Sequence, residues 1–184
     1  MKGLTSDNIL KSTTRRPRNR DADKGEQLFL GNQLCFTLYA TSLAMTKVYR
    51  PLLAPLGLTY PQYIVMLALW EHGELSAGAL GAMVALDSGT LVPLVHKLTA
   101  SGLVVRRRSP ADDRSVLISL TPGGRNLSKR ARAVNAQIAC ATQCTDAQIQ
   151  VLMRSLKGLR AALLSSAEAP LSATLPPTAT ANRI

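Results

Sequence analysis

A cysteine stands among tyrosines early in the chain, in the stretch NQLCFTLYATS, where Tyr39 follows Cys35 by four residues. Tyr49 and Tyr60 come next, although the chain of 184 residues holds only 3 cysteines and 4 tyrosines. A cysteine thiolate reacts with peroxides, and a tyrosine hydroxyl stabilises the thiolate when it donates a hydrogen bond to sulfur. The segment therefore has the residue types of a redox-sensing thiol, although a cysteine packed inertly among core aromatics would use the same residues.

The segment that carries this cysteine has a helical pattern. Apolar residues recur at helical spacing between Leu28 and Leu53, which predicts one helix over this range. If the helix begins near Asn32, Cys35 lies at the positive end of the helix dipole, which favours the thiolate. Apolar surroundings would favour a peroxide with an organic tail over hydrogen peroxide. The apolar side chains expected there are Leu34, Phe36, Leu38 and Met66.

The charge of the chain points to a different kind of partner. The formal net charge is +11, and residues 1–25 contribute seven basic and three acidic residues to it. Most of the excess therefore belongs to the rest of the chain, which favours a polyanion partner. A solvated basic surface is the alternative, and charge alone does not decide between the two.

Composition also argues against several classes of protein. No apolar run reaches the roughly 18 residues of a membrane span, and the first residues lack a signal-peptide core, so the cytosol is the expected compartment. In the cytosol the cysteines should be thiols. His72 and His96 are far apart and the cysteines lack zinc-ligand spacing, so neither a metal site nor a cofactor is expected.

The centre of the chain, about residues 75–120, has the order of a winged helix-turn-helix. Ser76 and Asp87 are predicted to cap two short helices, and two β-rich runs follow, LVVRRRS and SVLISLT. The second helix of such a unit presents its first residues to base edges. The side chains predicted to face DNA are Ser88, Thr90, Leu91, Leu94, His96 and Lys97. The alternative is that this is a core helix of any α protein.

The β-rich runs predict a basic wing. Alternation along a strand places Arg106 and Arg108 on one face. Arg114 is predicted at the hairpin tip beside Asp112 and Asp113, from which it could enter a narrow minor groove. A structural ion pair within the loop is the alternative.

The flanking segments complete a mainly α architecture with a small β-hairpin. Residues 1–25 are predicted to be a disordered basic arm, residues 26–167 the folded domain, and residues 168–184 a disordered tail. Long helices are predicted after Thr121 and over about residues 146–165, where they would form a layer that dimerises with the first helix.

With these features in place, the sequence resembles the MarR family of winged-helix repressors, and within it the organic hydroperoxide resistance regulator (OhrR) branch. The resemblance covers about residues 28–145 and includes the segments NQLCFTLYATS and LDSGTLVPLVHKLTASGLVVRRRSPADDRSVLISLT. It implies a homodimer on a palindromic operator of double-stranded DNA, with organic hydroperoxides as the signal. It also implies that Cys35 is the sensing thiol, that Tyr49 and Tyr60 hydrogen-bond to it, and that Tyr39 lies beside it.

The resemblance further implies a second cysteine, from the other subunit, which traps the oxidised Cys35 as a disulfide. Cys140 and Cys144 both match it. Spacing favours Cys140, but two cysteines four residues apart on one helix face leave the choice open.

Three other functions fit parts of the sequence. A MarR-type repressor could respond to a small phenolic or lipophilic ligand in the same cleft. A thiol peroxidase would use Cys35 catalytically, although no basic residue stands immediately beside it. A nonspecific DNA-coating protein would bind all duplexes equally well.

Overall fold

The computed structural model describes residues 28–110 and 115–168, and within these ranges it has six α-helices and three strands. The arm predicted for residues 1–25 and the part of the predicted tail after residue 168 lie outside the described residues. The high helical content and the small sheet confirm the predicted mainly α fold class. The internal contacts divide the chain into two units, Met1–Tyr60 and Pro61–Ile184, and each is described by itself.

The first unit contains one long helix, α1 (Leu34–Leu53), between two 3-10 turns. The prediction of one continuous helix from Leu28 is wrong, because the chain makes a 3-10 turn at Leu30–Asn32 and then extends at Gln33 (φ −89°, ψ 118°). Glycine and asparagine favour turns over helix interiors, which accounts for the break before the apolar run. A second 3-10 turn follows α1 at Ala54–Leu56 and ends at a left-handed glycine.

Helix α2 (Tyr60–His72) begins at the last residue of the first unit and continues into the second. Its predicted burial is confirmed: Tyr63, Val65, Met66 and Leu69 are almost fully buried. An apolar helix of this kind supplies core surface on most of its faces.

The winged helix-turn-helix begins directly after α2, with strand β1 (Glu74–Ser76), helix α3 (Ala77–Val84) and helix α4 (Ser88–Ala100). Both predicted N-caps are confirmed. The Ser76 hydroxyl accepts the Ala79 N–H at 3.1 Å, and an Asp87 carboxylate oxygen accepts the Thr90 N–H at 2.8 Å. After α4 the chain turns at Gly102, which has the left-handed φ of 68° that favours glycine at this position.

The wing consists of strands β2 (Val104–Arg108) and β3 (Val116–Leu120). The predicted hairpin is therefore confirmed, and β1 extends it into an antiparallel sheet of order β1-β3-β2. One face of the sheet carries Val104, Ile118 and Leu120, which are buried. This face anchors the wing to the helices.

Two long helices complete the described chain: α5 (Pro122–Thr142) and α6 (Asp146–Glu168). The Thr121 hydroxyl caps α5 by accepting the Gly124 N–H at 2.9 Å. Helix α5 has buried residues, whereas those described in α6 are exposed or half-buried. Within the described residues, no single helix is long and apolar enough to cross a membrane, although two bent helix pairs meet these criteria by length and composition.

Candidate redox site and nucleic-acid interface

Cys35 is the second residue of α1, directly after Gln33 and Leu34, and its side chain is exposed. The first backbone N–H groups of a helix have no partner within it, and together they carry the positive end of the helix dipole. The neighbouring Leu34 and Phe36 are also exposed, at 58% and 36%. The thiol therefore lies at an electropositive helix end with apolar side chains beside it, open to a molecule that approaches from outside.

The tyrosines that were predicted to surround this thiol occupy two places. Tyr39 lies one helical turn after Cys35 and is 62% exposed. Tyr49 lies near the other end of α1, and its ring packs on that of Tyr60 with 4.7 Å between the centroids. Fourteen residues at about 1.5 Å each separate Cys35 from Tyr49 by roughly 21 Å along the axis. Among the described residues, no hydrogen bond joins the Cys35 thiol to a tyrosine. The thiol–tyrosine contact that the resemblance implies is therefore not made within one described chain, and it stays a prediction.

The two other cysteines do not share a helix face, contrary to the prediction. Helix α5 ends at Thr142, and Gln143 adopts a left-handed φ of 53°. Cys140 is thus on the last turn of α5, whereas Cys144 lies in the connection to α6. The Cys144 thiol donates a hydrogen bond to the Thr142 carbonyl oxygen at 3.3 Å. Both thiols are exposed.

The predicted reading helix, α4, exposes a polar surface at its start. Ser88 and Thr90 are exposed, as are His96 and Lys97 one to two turns later. Asp87 organises the first turn, since it accepts the Thr90 N–H and, at 3.2 Å, the Thr90 hydroxyl. These two bonds hold the pKa of Asp87 below its ordinary value of 3.8. The roles of these side chains toward DNA stay predictions.

One residue that was predicted to face DNA is buried instead. Leu91 is only 2% exposed and belongs to the core with Val95 and Leu98. The next residue, Val92, is 48% exposed, and Pro93 is exposed as well. The spacing of Leu91, Val95 and Leu98 already marks the buried stripe of the helix, and this signal could have assigned Val92 to the outer surface.

In the wing, Arg106 pairs with Ile118 and Arg108 with Val116 in the strand register. Both arginines are exposed and alternate with Arg107 along β2, which agrees with the predicted shared face. The predicted hairpin-tip residues, Asp112 and Arg114, lie outside the described residues.

A bidentate ion pair in the sheet escaped the sequence prediction. Arg107 donates from Nε to Glu74 Oε2 at 3.1 Å and from Nη2 to Glu74 Oε1 at 2.7 Å. The two residues are 33 positions apart and their strands are not neighbours in the sheet. No local pattern in the sequence could have indicated this pair.

The second unit also contains a cleft of about 420 Å³ between α2 and α5. Its walls are fixed by two hydrogen bonds: the Trp70 indole N–H donates to the Gly124 carbonyl at 2.8 Å, and the Tyr63 hydroxyl donates to Asn135 Oδ1 at 3.0 Å. Arg125 and Arg132 also line the cleft. Among the described residues, no group of three His, Cys, Asp or Glu side chains is placed to hold a metal ion.

Known proteins with similar sequences are transcriptional regulators. Residues 47–131 match the family of transcriptional regulators SarA/Rot. Over 109 residues the chain is 50% identical to the organic hydroperoxide resistance transcriptional regulator of Bacillus subtilis, a match that covers 59% of this chain and 74% of that protein. This chain belongs to the organic hydroperoxide resistance branch of the MarR family. The predicted resemblance is thereby confirmed.

Solved structures of MarR-type regulators agree with this assignment. The reduced AbfR of Staphylococcus epidermidis bound to DNA is 34% identical, with a TM-score of 0.60 over 77% of this chain and 98% of AbfR. AbfR in its disulfide form matches with a TM-score of 0.53, at 35% identity over 76% of this chain and 98% of AbfR. BpsR of Bordetella bronchiseptica, whose DNA binding is regulated by 6-hydroxynicotinic acid, is 25% identical, with a TM-score of 0.64 over 70% of this chain and 98% of BpsR. The predicted winged helix-turn-helix of this MarR-family chain is confirmed.

Proposed function

We propose that this protein is a DNA-binding transcriptional repressor that releases its operator when an organic hydroperoxide oxidises Cys35. The observation that carries the proposal is the exposed thiol at the second residue of α1, in a chain that also has a reading helix and a basic wing. The family assignment supports the same function. A repressor of this kind acts in the cytoplasm and is not an enzyme.

The contact with DNA uses both parts of the winged module. The start of α4 enters a major groove with Ser88 and Thr90, while His96 and Lys97 lie further along the same helix. Arg106, Arg108 and Arg114 of the wing reach the backbone or the adjacent minor groove. A homodimer presents two such modules, so the operator is a palindrome whose half-sites are about one helical turn apart.

The dimer also completes the redox site. Because α1 separates Cys35 from Tyr49 by roughly 21 Å within one chain, and the Tyr60 ring packs on that of Tyr49, we infer that their hydroxyls reach the thiol from a second copy. An antiparallel approach of two α1 helices brings Tyr49 of the partner subunit toward Cys35. Each hydroxyl that donates to the sulfur stabilises the thiolate over the thiol.

The oxidation proceeds in two steps. The Cys35 thiolate attacks a peroxide oxygen, the O–O bond breaks, and the alkoxide takes up a proton and leaves as the alcohol, which converts the cysteine to a sulfenic acid. The thiol of Cys140 or Cys144 from the partner subunit then attacks the sulfenic sulfur. A disulfide forms and water leaves. Leu34 and Phe36 favour a peroxide with an apolar tail.

Release follows because oxidation changes the dimer on which both reading helices depend. Both helices must fit their major grooves at once, so a small rotation at the dimer layer weakens both contacts. A coupling of about 3 kcal/mol between oxidation and DNA binding would change the affinity by more than a hundredfold.

A gel-shift experiment tests the proposal. The probe is an operator selected from random duplexes by the reduced wild-type protein, and each sample is measured before and after cumene hydroperoxide. The wild type should release the operator after treatment, whereas Cys35→Ser should bind it before and after. Release of Cys35→Ser by peroxide would contradict the thiol route. So would wild-type protein that stays bound while mass spectrometry shows Cys35 fully modified. Steady turnover of cumene hydroperoxide with a thiol donor would favour a peroxidase instead.

The cleft between α2 and α5 favours one second candidate, a repressor released by a small aromatic anion. Tyr63, Trp70 and two arginines line it, and none of the lining residues in the described part of the chain is acidic. Such a wall suits a ring with a carboxylate. In Cys35→Ser, which isolates this route, 6-hydroxynicotinic acid should then release the operator. Arg132→Ala should abolish that release, while Lys129→Ala, outside the cleft lining, should leave it intact.

A further inference from the structure

The ion pair between Glu74 and Arg107 joins two strands that do not touch through their backbones. In the sheet order β1-β3-β2, strand β3 lies between the partners. Arg107 is opposite Leu117 in the register, and Glu74 is opposite Ser119. The Arg107 side chain must therefore cross β3 to place its guanidinium on the carboxylate. Two parallel N–H···O bonds fix the direction of this contact as well as its distance.

The two ends of the pair belong to different parts of the reading module. Glu74 begins β1, whose last residue, Ser76, is the N-cap of α3 and so starts the helix-turn-helix. Arg107 lies on β2, the strand of the wing that has β3 as its only neighbour in the described sheet. Arg106 and Arg108, which are proposed to contact DNA, are its immediate neighbours.

The pair contributes little to the stability of the fold. The side chains of Arg107 and Glu74 are 51% and 34% exposed, and ion pairs that remain open to water are weakly stabilising. Its effect is geometric, because without it the outer wing strand is tied to β1 only through β3. Two-stranded ribbons vary widely in twist, so a tie from β2 to β1 limits how far the wing can turn away from α4.

We propose that Glu74 and Arg107 are positioning residues that set the angle of the wing, so that α4 and the wing contact one DNA half-site together. The inference rests on the proposed DNA binding. It concerns the fit of the protein to its operator and not its attraction to DNA in general. A module with a loose wing keeps its positive charge but loses part of its preference for the operator.

The direction in which one substitution changes operator affinity separates a positioning role from a purely electrostatic one. Glu74→Gln removes a negative charge from the winged module. By charge alone the variant should bind every duplex more tightly. Positioning predicts the reverse for the operator, about fivefold weaker binding, at the lower end of typical coupling between sites, with no loss of affinity for an unrelated duplex.

The matched control is Glu71→Gln. Glu71 is an exposed carboxylate on α2, and its only described ion pair is a 3.6 Å contact with His72. This variant removes the same charge without touching the wing, so it should show no operator-specific loss. The double variant Glu74→Arg with Arg107→Glu restores an ion pair of reversed polarity and keeps the wild-type net charge. It should recover most of the operator preference that either single change loses.

The measurement is a fluorescence-anisotropy titration of reduced full-length dimer on the selected operator and on an unrelated duplex at fixed salt. Equal or tighter operator binding by Glu74→Gln would overturn the proposal. So would an equal loss on both duplexes that the charge-reversed pair fails to recover. Thermal unfolding of each variant shows whether the fold is kept. If Glu74→Gln unfolds, Arg107→Lys provides a second test, because lysine keeps the positive charge but cannot make the bidentate contact. A wild-type protein that selects no duplex at all would instead contradict the proposed function.

Discussion

A single exposed carboxylate organises the first turn of the reading helix. Asp87 accepts hydrogen bonds from both the backbone and the side chain of Thr90, and these bonds lower its pKa below the ordinary 3.8. A lowered pKa in the folded state means that the charged form is preferred there. The contribution to stability is therefore complete above pH 3.8 and disappears as the pH falls through the lower folded-state pKa.

Asp87→Asn should remove this pH dependence. Asparagine keeps an oxygen that can cap the helix but does not titrate. Urea unfolding of both proteins between pH 7 and pH 3 measures the free energy of unfolding. The difference in unfolding free energy between wild type and variant should shrink as the pH falls toward 3. Parallel curves over the whole range would contradict the assignment of the cap to the ionised carboxylate.

Leu91 and Val92 test the division between core and surface on the same helix. Leu91→Ala should lower the free energy of unfolding by about 2–5 kcal/mol, because it removes a fully buried side chain. Val92→Ala, at a 48% exposed position, should change it by only about 0.5 kcal/mol. Urea denaturation checks both. If Leu91→Ala lowers the free energy of unfolding only slightly, Leu91 does not contribute to the core, and its predicted position facing DNA would be correct.

At the scale of elements, one glycine determines how α5 meets the wing. A Cβ added at Gly124 would overlap the Leu103 carbonyl oxygen, which belongs to rigid backbone. The same glycine offers its carbonyl to the Trp70 indole at 2.8 Å. Helix α5 can therefore pack this closely against the start of β2 only with glycine at this position.

Gly124→Ala should separate α5 from the wing, whereas Gly123→Ala should be tolerated. A Cβ at Gly123 would meet the Thr121 hydroxyl at 3.5 Å, an ordinary contact. We expect the Gly124 variant to lose about 2 kcal/mol or more of unfolding free energy, as overpacked sites do. Thermal and urea unfolding of the pair measure this. Equal stability of the two variants would contradict the close approach.

The elements themselves were largely predictable because their signals are local. Ser76 and Asp87 cap helices as expected, and a long helix begins after Thr121 as predicted, since each of these signals acts within three residues of its own position. The 3-10 turn before α1 was not predicted, because apolar spacing continues through a break in the backbone. The Glu74–Arg107 pair depends on strand order, which local patterns do not contain.

At the scale of the whole molecule, the described chain leaves much apolar surface uncovered. The exposed apolar residues of α6 are Val151, Leu152, Met153, Leu156, Leu163 and Leu164. An apolar surface of this extent marks an interaction site, and a second copy of this chain is the partner that the family assignment favours. The residues assigned to the redox site stay a prediction from the sequence. The sequence did not predict that Cys35 and Tyr49 lie roughly 21 Å apart along α1 within one chain, because this separation depends on the length and start of the helix.

A surface variant tests this dimer. Leu152→Glu together with Leu156→Glu places charges on the exposed face of α6, where they remain solvated in a monomer but would be buried in a dimer. Analytical ultracentrifugation should show a shift from dimer to monomer, and operator affinity should fall because one half-site contact is lost. The control is Arg154→Gln with Lys157→Gln, which lowers the net charge by the same two units on α6 without placing charges at its exposed leucines. A dimer that survives the leucine changes would place the interface elsewhere.

The identity of the trapping cysteine can be decided by the same dimer after oxidation. Cys140 lies on the last turn of α5 with an exposed thiol, whereas the Cys144 thiol donates to the Thr142 carbonyl and must break that bond to react. We therefore expect Cys140→Ser to abolish the cross-linked dimer that cumene hydroperoxide produces on non-reducing gels, and Cys144→Ser to retain it. Cys35→Ser should give no cross-linked dimer, whether it is combined with Cys140→Ser or with Cys144→Ser. Loss of the band only in Cys144→Ser would reverse the assignment, since the thiol in the connection after α5 would then be the one that reaches Cys35. A band that survives in the variant lacking both cysteines would show that the disulfide joins two Cys35 residues, and the proposed trapping step would be wrong.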